Sequence, residues 1–129
     1  MIVLDSSAAL ASLAAGPQLA AVAARIAGED LAAPHVVDLE VHHALRGMLR
    51  RRELTAERAE RIRADYLGLA IDRYPHEPLL DRVWELRGHL TAYDAVFVAL
   101  AEALEAPLVT TDDRLARAGG HHAVVESLA

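Results

Sequence analysis

The 129-residue chain contains no cysteine and no lysine, and only 4% of its residues are aromatic. The absence of cysteine excludes disulfides, thiolate catalysis and cysteine zinc sites. The absence of lysine excludes an amine nucleophile and the lysine of a phosphate-binding P-loop. All 13 basic residues are therefore arginines, whose forked guanidinium groups suit phosphate recognition.

Long apolar runs and a basic leader are missing as well. Charges interrupt each apolar stretch well before the length that crosses a bilayer, and the N-terminus lacks the layout of a signal peptide. We therefore expect a cytoplasmic protein that does not bind membranes. Its length predicts a single domain, residues 1–129.

The chain is acidic, with a formal net charge of −6. This charge argues against a broad basic surface for nucleic acid, because such binding depends on many arginine and lysine contacts to phosphates. Two groups of arginines, at residues 50–52 and 58–63, have the pattern of a solvated helix face.

Strand and helix patterns alternate along the chain. Short apolar segments predict strands at residues 1–5, 31–33, 71–74, 108–110 and 123–125. Helical spacing and capping residues predict helices at residues 6–16, 18–27, 35–52, 55–69, 79–90, 92–104 and 112–118. The alternation predicts an α/β fold with a parallel central sheet of about four to five short strands flanked by helices.

Four acidic residues stand beside or within apolar segments: Asp5, Glu40, Asp94 and Asp112. Asp5 and Asp112 each follow a predicted strand, and parallel sheets form their sites at the carboxyl ends of strands. Buried carboxylates are costly unless they are paired or bound to a cation. Carboxylates that meet at one edge of a sheet therefore predict a divalent metal site.

Each carboxylate also has a purely structural explanation. Asp5 and Asp112 are equally well explained as N-caps, and Asp94 has the spacing of a capping box with Thr91. Glu40 fits this explanation less well, because helical geometry places it on the apolar stripe of its helix. One shared metal site accounts for all four.

The neighbouring hydroxyls are open to two interpretations. Ser6, Ser7, Thr110 and Thr111 are able to hydrogen-bond the acidic residues or water. Helix capping explains them equally well, and we prefer this interpretation for Ser6 and Thr111. A hard cation such as Mg²⁺ held by the carboxylates is able to activate water and shield phosphate charge.

Four short motifs in a fixed order resemble the PIN-domain family, and more closely the VapC-type toxin ribonucleases of bacterial toxin–antitoxin pairs. They are Asp-x-Ser at residues 5–7, Glu with Ala-Leu-Arg at residues 40–46, Thr-x-Tyr-Asp-Ala at residues 91–95 and Thr-x-Asp-x-Arg-Leu at residues 110–115. The resemblance extends over nearly the whole chain and implies a PIN-like fold.

The same resemblance implies a metal-dependent endoribonuclease that acts as the toxin of a type II toxin–antitoxin system. It implies Asp5, Glu40, Asp94 and Asp112 as the catalytic and metal-binding residues, with Ser7 and Thr110 in support. Mg²⁺ or Mn²⁺ is the implied cofactor and RNA the substrate.

A VapB-like antitoxin and a homodimer are the implied partners. We expect the antitoxin to cover the small and apolar residues at 19–26 and 41–49, because these exceed what one sheet face needs. An arginine of the antitoxin is expected to reach the acidic site.

The same residues are compatible with other functions. A non-cleaving PIN-like module that binds RNA or protein is the main alternative, although such modules usually lose one of the four carboxylates. Glu40 and His43 have a Glu-x-x-His spacing, but the second copy that a di-iron bundle needs is absent. We expect Trp84, Tyr93 and Phe97 to belong to the core rather than to stack on bases.

Overall fold

The computed structural model describes residues 1–129, and a sheet of five parallel strands runs through its centre. The strands are β1 (Ile2–Leu4), β2 (Leu31–Pro34), β3 (Ile71–Tyr74), β4 (Leu108–Thr110) and β5 (Val125–Ser127). Their order across the sheet is β3-β2-β1-β4-β5. The predicted α/β fold with about four to five parallel strands is confirmed.

Seven α-helices connect and cover the strands. They are α1 (Ser6–Ala11), α2 (Leu19–Ile26), α3 (Val37–Arg50), α4 (Ala56–Leu67), α5 (Leu80–Glu85), α6 (Ala92–Leu104) and α7 (Asp113–Arg117). Short 3₁₀ turns, Glu77–Leu79 and Leu86–Gly88, flank α5. None of these helices has both the length and the apolar character needed to cross a bilayer.

The central helix of the core is α6. Seven consecutive residues, 95–101, are buried, because apolar side chains point in nearly all directions around this helix. The helix contacts both β1 and β2. It forms part of one cluster of 29 buried apolar residues, which fixes the first turn of α6 against the sheet.

The order of the strands along the chain reverses between β1 and β4: β2 and β3 lie on one side of β1, and β4 and β5 lie on the other. Val3 pairs with Leu108 and Leu4 with Val109, so the residue after β1 comes to lie beside the end of β4. In parallel sheets this crossover leaves a crevice at the carboxyl ends of the strands. Asp5 and Thr110 stand on its two sides.

Three predicted boundaries are wrong. The last strand begins at Val125 rather than Ala123, because Val125 pairs with Leu108 while Val124 is 66% exposed. Helix α1 stops at Ala11 rather than near residue 16, and the Ser12 hydroxyl donates to the Ala9 carbonyl in the turn that follows.

The helix predicted at residues 79–90 is the third of these. It is divided into a 3₁₀ turn that contains Pro78, the six-residue α5, and a second 3₁₀ turn that ends at Gly88. The 3₁₀ turns rotate the side chains away from an even helical stripe. Leu79 and Leu86 are buried as a result, and Trp84 is exposed.

Candidate active site

Asp5 is the most buried carboxylate at the end of the sheet, with 6% of its surface exposed. Its Oδ2 accepts hydrogen bonds from the hydroxyls of Ser7 at 2.7 Å and Thr110 at 2.6 Å. Its Oδ1 has a single, longer contact with the Ser6 hydroxyl at 3.3 Å. Asp5 stands at the N-cap position of α1 but makes no side-chain cap bond, so capping does not account for it.

The hydroxyls of Ser7 and Thr110 are held in one orientation. Backbone N–H groups of Thr111 and Asp112 donate to Ser7 Oγ and Thr110 Oγ1, at 3.1 and 3.0 Å. Each hydroxyl has one proton, and that proton is therefore free to be donated to Asp5. Chains of hydrogen bonds polarise one another, and this arrangement fixes the position of the Asp5 carboxylate.

Glu40 reaches the same region from the first turns of α3, which packs against α1. Its Oε1 accepts a hydrogen bond from Ser6 Oγ at 3.2 Å, and no arginine or histidine forms an ion pair with it. Burial raises the pKa of Glu40 to about 7, and the charges of Asp5 and then Asp94 contribute further. Glu40 is a carboxylate held near other carboxylates without a cationic partner.

Asp94 lies in the first turn of α6, where the Thr91 hydroxyl accepts a hydrogen bond from its backbone N–H at 3.2 Å. A full capping box would also have the Asp94 carboxylate accept from the backbone N–H of Thr91, and that bond is not formed. The Asp94 carboxylate is therefore not used as a cap. Burial raises the pKa of Asp94, and the neighbouring charges of Asp5 and Asp112 add to the effect. Asp94 therefore shares the electrostatic environment of Asp5 and Glu40.

Asp112 is used differently. Its Oδ1 caps α7 by accepting from the Arg114 N–H at 2.9 Å, and Arg114 Nη2 binds its Oδ2 at 2.8 Å. The hydrogen bonds from Arg114 lower the pKa of Asp112. The N-cap interpretation therefore holds for Asp112. Its charge also contributes to the raised pKa of Asp94.

The donor set is suited to a hard divalent cation. All four groups are carboxylates, and such oxygens are the ligands that Mg²⁺ and Mn²⁺ prefer. Oδ1 of Asp5 is nearly free of hydrogen bonds, and both Glu40 and Asp94 are destabilised as anions by burial and by the neighbouring Asp5 charge. In the chain as it stands, no three of these side chains converge on a single ligand position.

Some residues were interpreted incorrectly from the sequence. Ser6 contacts two carboxylates instead of acting only as a cap. Trp84 and Tyr93, expected in the core, are 68% and 64% exposed, whereas Phe97 is buried as expected. His43 is exposed on α3.

Arg114 was not singled out from the sequence. Its position two residues after Asp112, at the start of a short helix, is the signal that would have indicated the pairing, because the helix turn brings the side chain back to the cap residue.

The chain is similar to a protein family and to several known proteins. Residues 2–121 match the model of the PIN domain. Ribonuclease VapC9 of Mycobacterium tuberculosis is 46% identical over 119 residues, which cover 92% of this chain and 91% of the relative. Ribonuclease VapC12 of the same organism is 40% identical over 129 residues and the whole of both chains.

Solved structures share the fold. The crystal structure of VapBC2 from Rickettsia felis, bound to a DNA fragment from their promoter, aligns with a TM-score of 0.68. It covers 98% of this chain and 98% of that one, at 15% sequence identity. The alignment supports the fold found here.

Proposed function

Because this chain belongs to the PIN-domain family and is related over most of its length to VapC ribonucleases, we propose that it is a divalent-metal-dependent endoribonuclease. The observation that supports this most strongly is the group of Asp5, Glu40 and Asp94 at the end of the sheet. Three partly or fully buried carboxylates without an arginine partner are costly, and a cation together with a phosphate substrate offsets that cost.

Asp5, Glu40 and Asp94 are the proposed ligands of Mg²⁺ or Mn²⁺, with Asp112 as the fourth carboxylate of the site. The bound metal supplies an activated water at neutral pH and shields the charge that develops on the phosphate. Ser7 and Thr110 hold Asp5, and neighbours of this kind orient the residues that bind a metal.

Glu40 is the group best suited to accept a proton from the attacking water. In the metal-free chain burial raises its pKa to about 7, and a carboxylate that is not fully used in coordination is able to act as a general base. Its side chain extends from α3 towards the sheet end and is fixed by a single hydroxyl, Ser6. This leaves Glu40 Oε2 available for water.

A small antitoxin is the proposed protein partner, and the chain is proposed to act as the toxin of the pair. A groove of about 330 Å³ lies between α1, α2 and α3 and is lined mainly by apolar side chains. Ser7 lines one end of this groove, so a segment bound there extends to the acidic site. An amphipathic segment fits such a groove, and an arginine on it would pair with the carboxylates.

A homodimer is proposed through the exposed apolar residues of α5 and the start of α6. Leu80, Trp84 and Tyr93 are more than half exposed, and Leu80 and Tyr93 line the same apolar cleft with Val83 and Val96. Exposed apolar patches of this kind are typical of protein interfaces. Light scattering of the isolated chain measures this directly, and a monomeric mass at high concentration contradicts the proposal.

The nuclease proposal is tested by incubating the purified chain with a mixed single-stranded RNA in EDTA, in Mg²⁺ and in Mn²⁺. We expect cleavage only with metal. Asp94→Asn should lose cleavage, and Asp113→Asn is the matched control, because Asp113 is exposed and bonded to Ser127. Cleavage of equal rate in excess EDTA, or full activity of Asp94→Asn, overturns the metal mechanism.

The antitoxin proposal has a separate test. Co-expression with the product of the neighbouring reading frame should yield a complex whose nuclease activity is suppressed. Replacing Ala44 by Glu places a charge in the groove without touching the carboxylates, and it should weaken the complex while leaving RNA cleavage intact. Unchanged binding by Ala44→Glu contradicts the proposed groove.

A further inference from the structure

A cavity of about 300 Å³ opens next to Asp94, between the segment that precedes α6 and the short helix α7. Thr91 and Asp94 form one wall, and Arg114 and Arg117 form the other, with His89 at the rim. The cavity is at the lower end of the size range for ligand sites. It joins the acidic site through Asp94, so a ligand in it lies directly beside the proposed reaction centre.

Arg117 forms no hydrogen bond and no ion pair in the chain, whereas six of the 13 arginines pair with a carboxylate. Arg25, Arg73 and Arg82, for example, each form short ion pairs with a carboxylate. Six other arginines lack an ion pair: Arg46, Arg50, Arg52, Arg58 and Arg61, which are exposed on or beside α3 and α4, and Arg87, which stacks on Trp84. Arg117 alone among the unpaired arginines shares a cavity with a carboxylate of the site.

Arg114 contributes to the same wall. Its Nε and Nη2 bind Asp112 at 3.3 and 2.8 Å, while Nη1 has no hydrogen-bond partner. Its charge also acts on Asp94 and opposes the increase in the pKa of that carboxyl. The two contacts with Asp112 orient the guanidinium plane, and Nη1 remains available to a ligand.

His89 is packed against a pair of glycines. Gly120 has a φ of 83°, and a Cβ at this position would collide with the imidazole ring. Gly119 lies against the same ring, with its Cβ position 3.8 Å from Nδ1. The glycines therefore let the loop after α7 approach His89 closely and complete the rim of the cavity.

We propose that Arg117, together with Arg114 and His89, forms a phosphate-binding subsite for the nucleotide next to the cleaved bond. The inference rests on the proposed ribonuclease function and names a residue that binds the RNA. An arginine fork matches two phosphate oxygens. A strongly acidic chain needs such a local cation, because the carboxylates repel the RNA until metal is bound.

The subsite is tested with a fluorescent single-stranded RNA whose affinity is measured in EDTA at several NaCl concentrations, and whose KM and kcat are measured in Mn²⁺. Arg117→Ala should weaken binding and raise KM by roughly three- to tenfold, with kcat nearly unchanged. The slope of log affinity against log salt should decrease by about 0.7, the value for one lost phosphate contact on a single strand. Arg61→Ala, an exposed arginine on α4, is the matched control.

Arg117→Lys separates charge from the forked contact. It should retain the salt slope of the wild type and recover only part of the affinity, because an ammonium group is a point charge. A second probe replaces single RNA linkages by neutral methylphosphonates. One linkage should weaken binding of the wild type and have no further effect on Arg117→Ala, since the contact is already missing.

The outcomes distinguish the two proposals. If the wild type cleaves RNA with metal but Arg117→Ala behaves like Arg61→Ala in affinity, KM and salt slope, the subsite is overturned and the nuclease remains. If the wild type neither binds nor cleaves RNA in any condition, both proposals are overturned.

Discussion

Glu40 lies on α3 and Glu102 on α6, and both side chains are partly or largely withdrawn from solvent. The Glu102 side chain is 5% exposed and is enclosed by donors: Arg82 Nε and Nη2 at 2.8 and 3.0 Å, and the His122 N–H at 2.9 Å. The pKa of Glu102 is lowered, chiefly by Arg82. Glu40 has one hydroxyl donor and two carboxylate neighbours, and its pKa is raised to about 7.

The difference separates a structural carboxylate from a functional one. The chain has 13 arginines and uses them to neutralise acidic groups elsewhere, at Glu102, Asp38 and Glu126. It brings none to Glu40. A partly buried carboxylate without a cationic partner marks a candidate functional site, because stability alone would favour an ion pair there.

The largest expected effect is on RNA cleavage, and it distinguishes Glu40 from Glu102. Glu40→Gln should reduce RNA cleavage by at least about a thousandfold, since metal-dependent charge stabilisation is worth several kcal/mol. Glu102→Gln should leave cleavage unchanged, because Glu102 lies away from the sheet end. Initial rates in Mn²⁺ measure both. If Glu40→Gln retained the rate and metal affinity of the wild type, Glu40 would not belong to the site.

A smaller loss is expected when the support of Asp5 is removed. Thr110→Val keeps the shape of a buried side chain but deletes the hydroxyl that donates to Asp5 and accepts from the Asp112 N–H. We expect a 10- to 100-fold loss in metal affinity or activity, about the effect of removing a neighbour that orients a ligand.

The control for Thr110→Val is Ser12→Ala. It removes another buried hydroxyl, one that bonds only the Ala9 carbonyl and has no contact with the acidic group. Both variants should lose some stability, but only Thr110→Val should lose metal affinity. Equal metal affinity in the two variants would contradict the role of Thr110.

Much of the sheet and of α6 follows from the sequence, for physical reasons that act locally. Short apolar runs between Gly, Pro and charged residues place β1, β2 and β4 within one or two residues. The position of Asp5 in the site is predicted in the same way, because a carboxylate that directly follows a buried strand lies at the edge of the sheet. Helical spacing and the cap residue Thr91 predicted the start of α6, and apolar residues in nearly all directions predicted its burial.

The parts that were wrong depend on contacts between distant segments. Ser6 bridges Asp5 and Glu40 only because α1 packs on α3, 34 residues away in sequence. The exposure of Trp84 follows from the 3₁₀ turns on each side of α5, which no periodicity indicated. The start of β5 depends on its register with β4 rather than on its own apolar residues.

The two variants should have the opposite order in stability: Glu102→Gln should destabilise the chain and Glu40→Gln should not. Glu102→Gln removes a charge from a nearly buried ion pair and leaves Arg82 without its forked partner. We expect a decrease of about 2 kcal/mol in the free energy of unfolding, the scale of hydrogen bonds to charged groups. Glu40→Gln should not destabilise the metal-free chain, because it removes repulsion. Urea unfolding at pH 7.5 in EDTA measures both variants.

A stability loss in Glu40→Gln equal to that in Glu102→Gln would break the distinction between the two carboxylates. Their roles would then both be structural, and the acidic group would need another explanation.

The smallest expected effect is a dependence of stability on pH that differs between the two carboxylates. The pKa of Glu40 is raised in the folded chain from 4.5 to about 7, so the folded state binds its proton more tightly than the unfolded state. Its contribution to stability is fully present below the ordinary pKa and is lost as the pH rises through 7. The pKa of Glu102 is lowered, so its contribution is present above the ordinary value and is lost as the solution becomes more acidic.

Unfolding in EDTA between pH 5 and pH 8 should therefore show a downward trend with rising pH in the wild type that is smaller in Glu40→Gln. Subtracting the variant from the wild type gives the contribution of Glu40 together with its charge coupling to Asp5 and Asp94. Saturating Mn²⁺ should remove the trend, because metal binds the deprotonated form and its affinity rises with pH. Identical pH profiles of wild type and Glu40→Gln would show that Glu40 carries its proton equally in the folded and unfolded chains, and the electrostatic contrast with Glu102 would then fail.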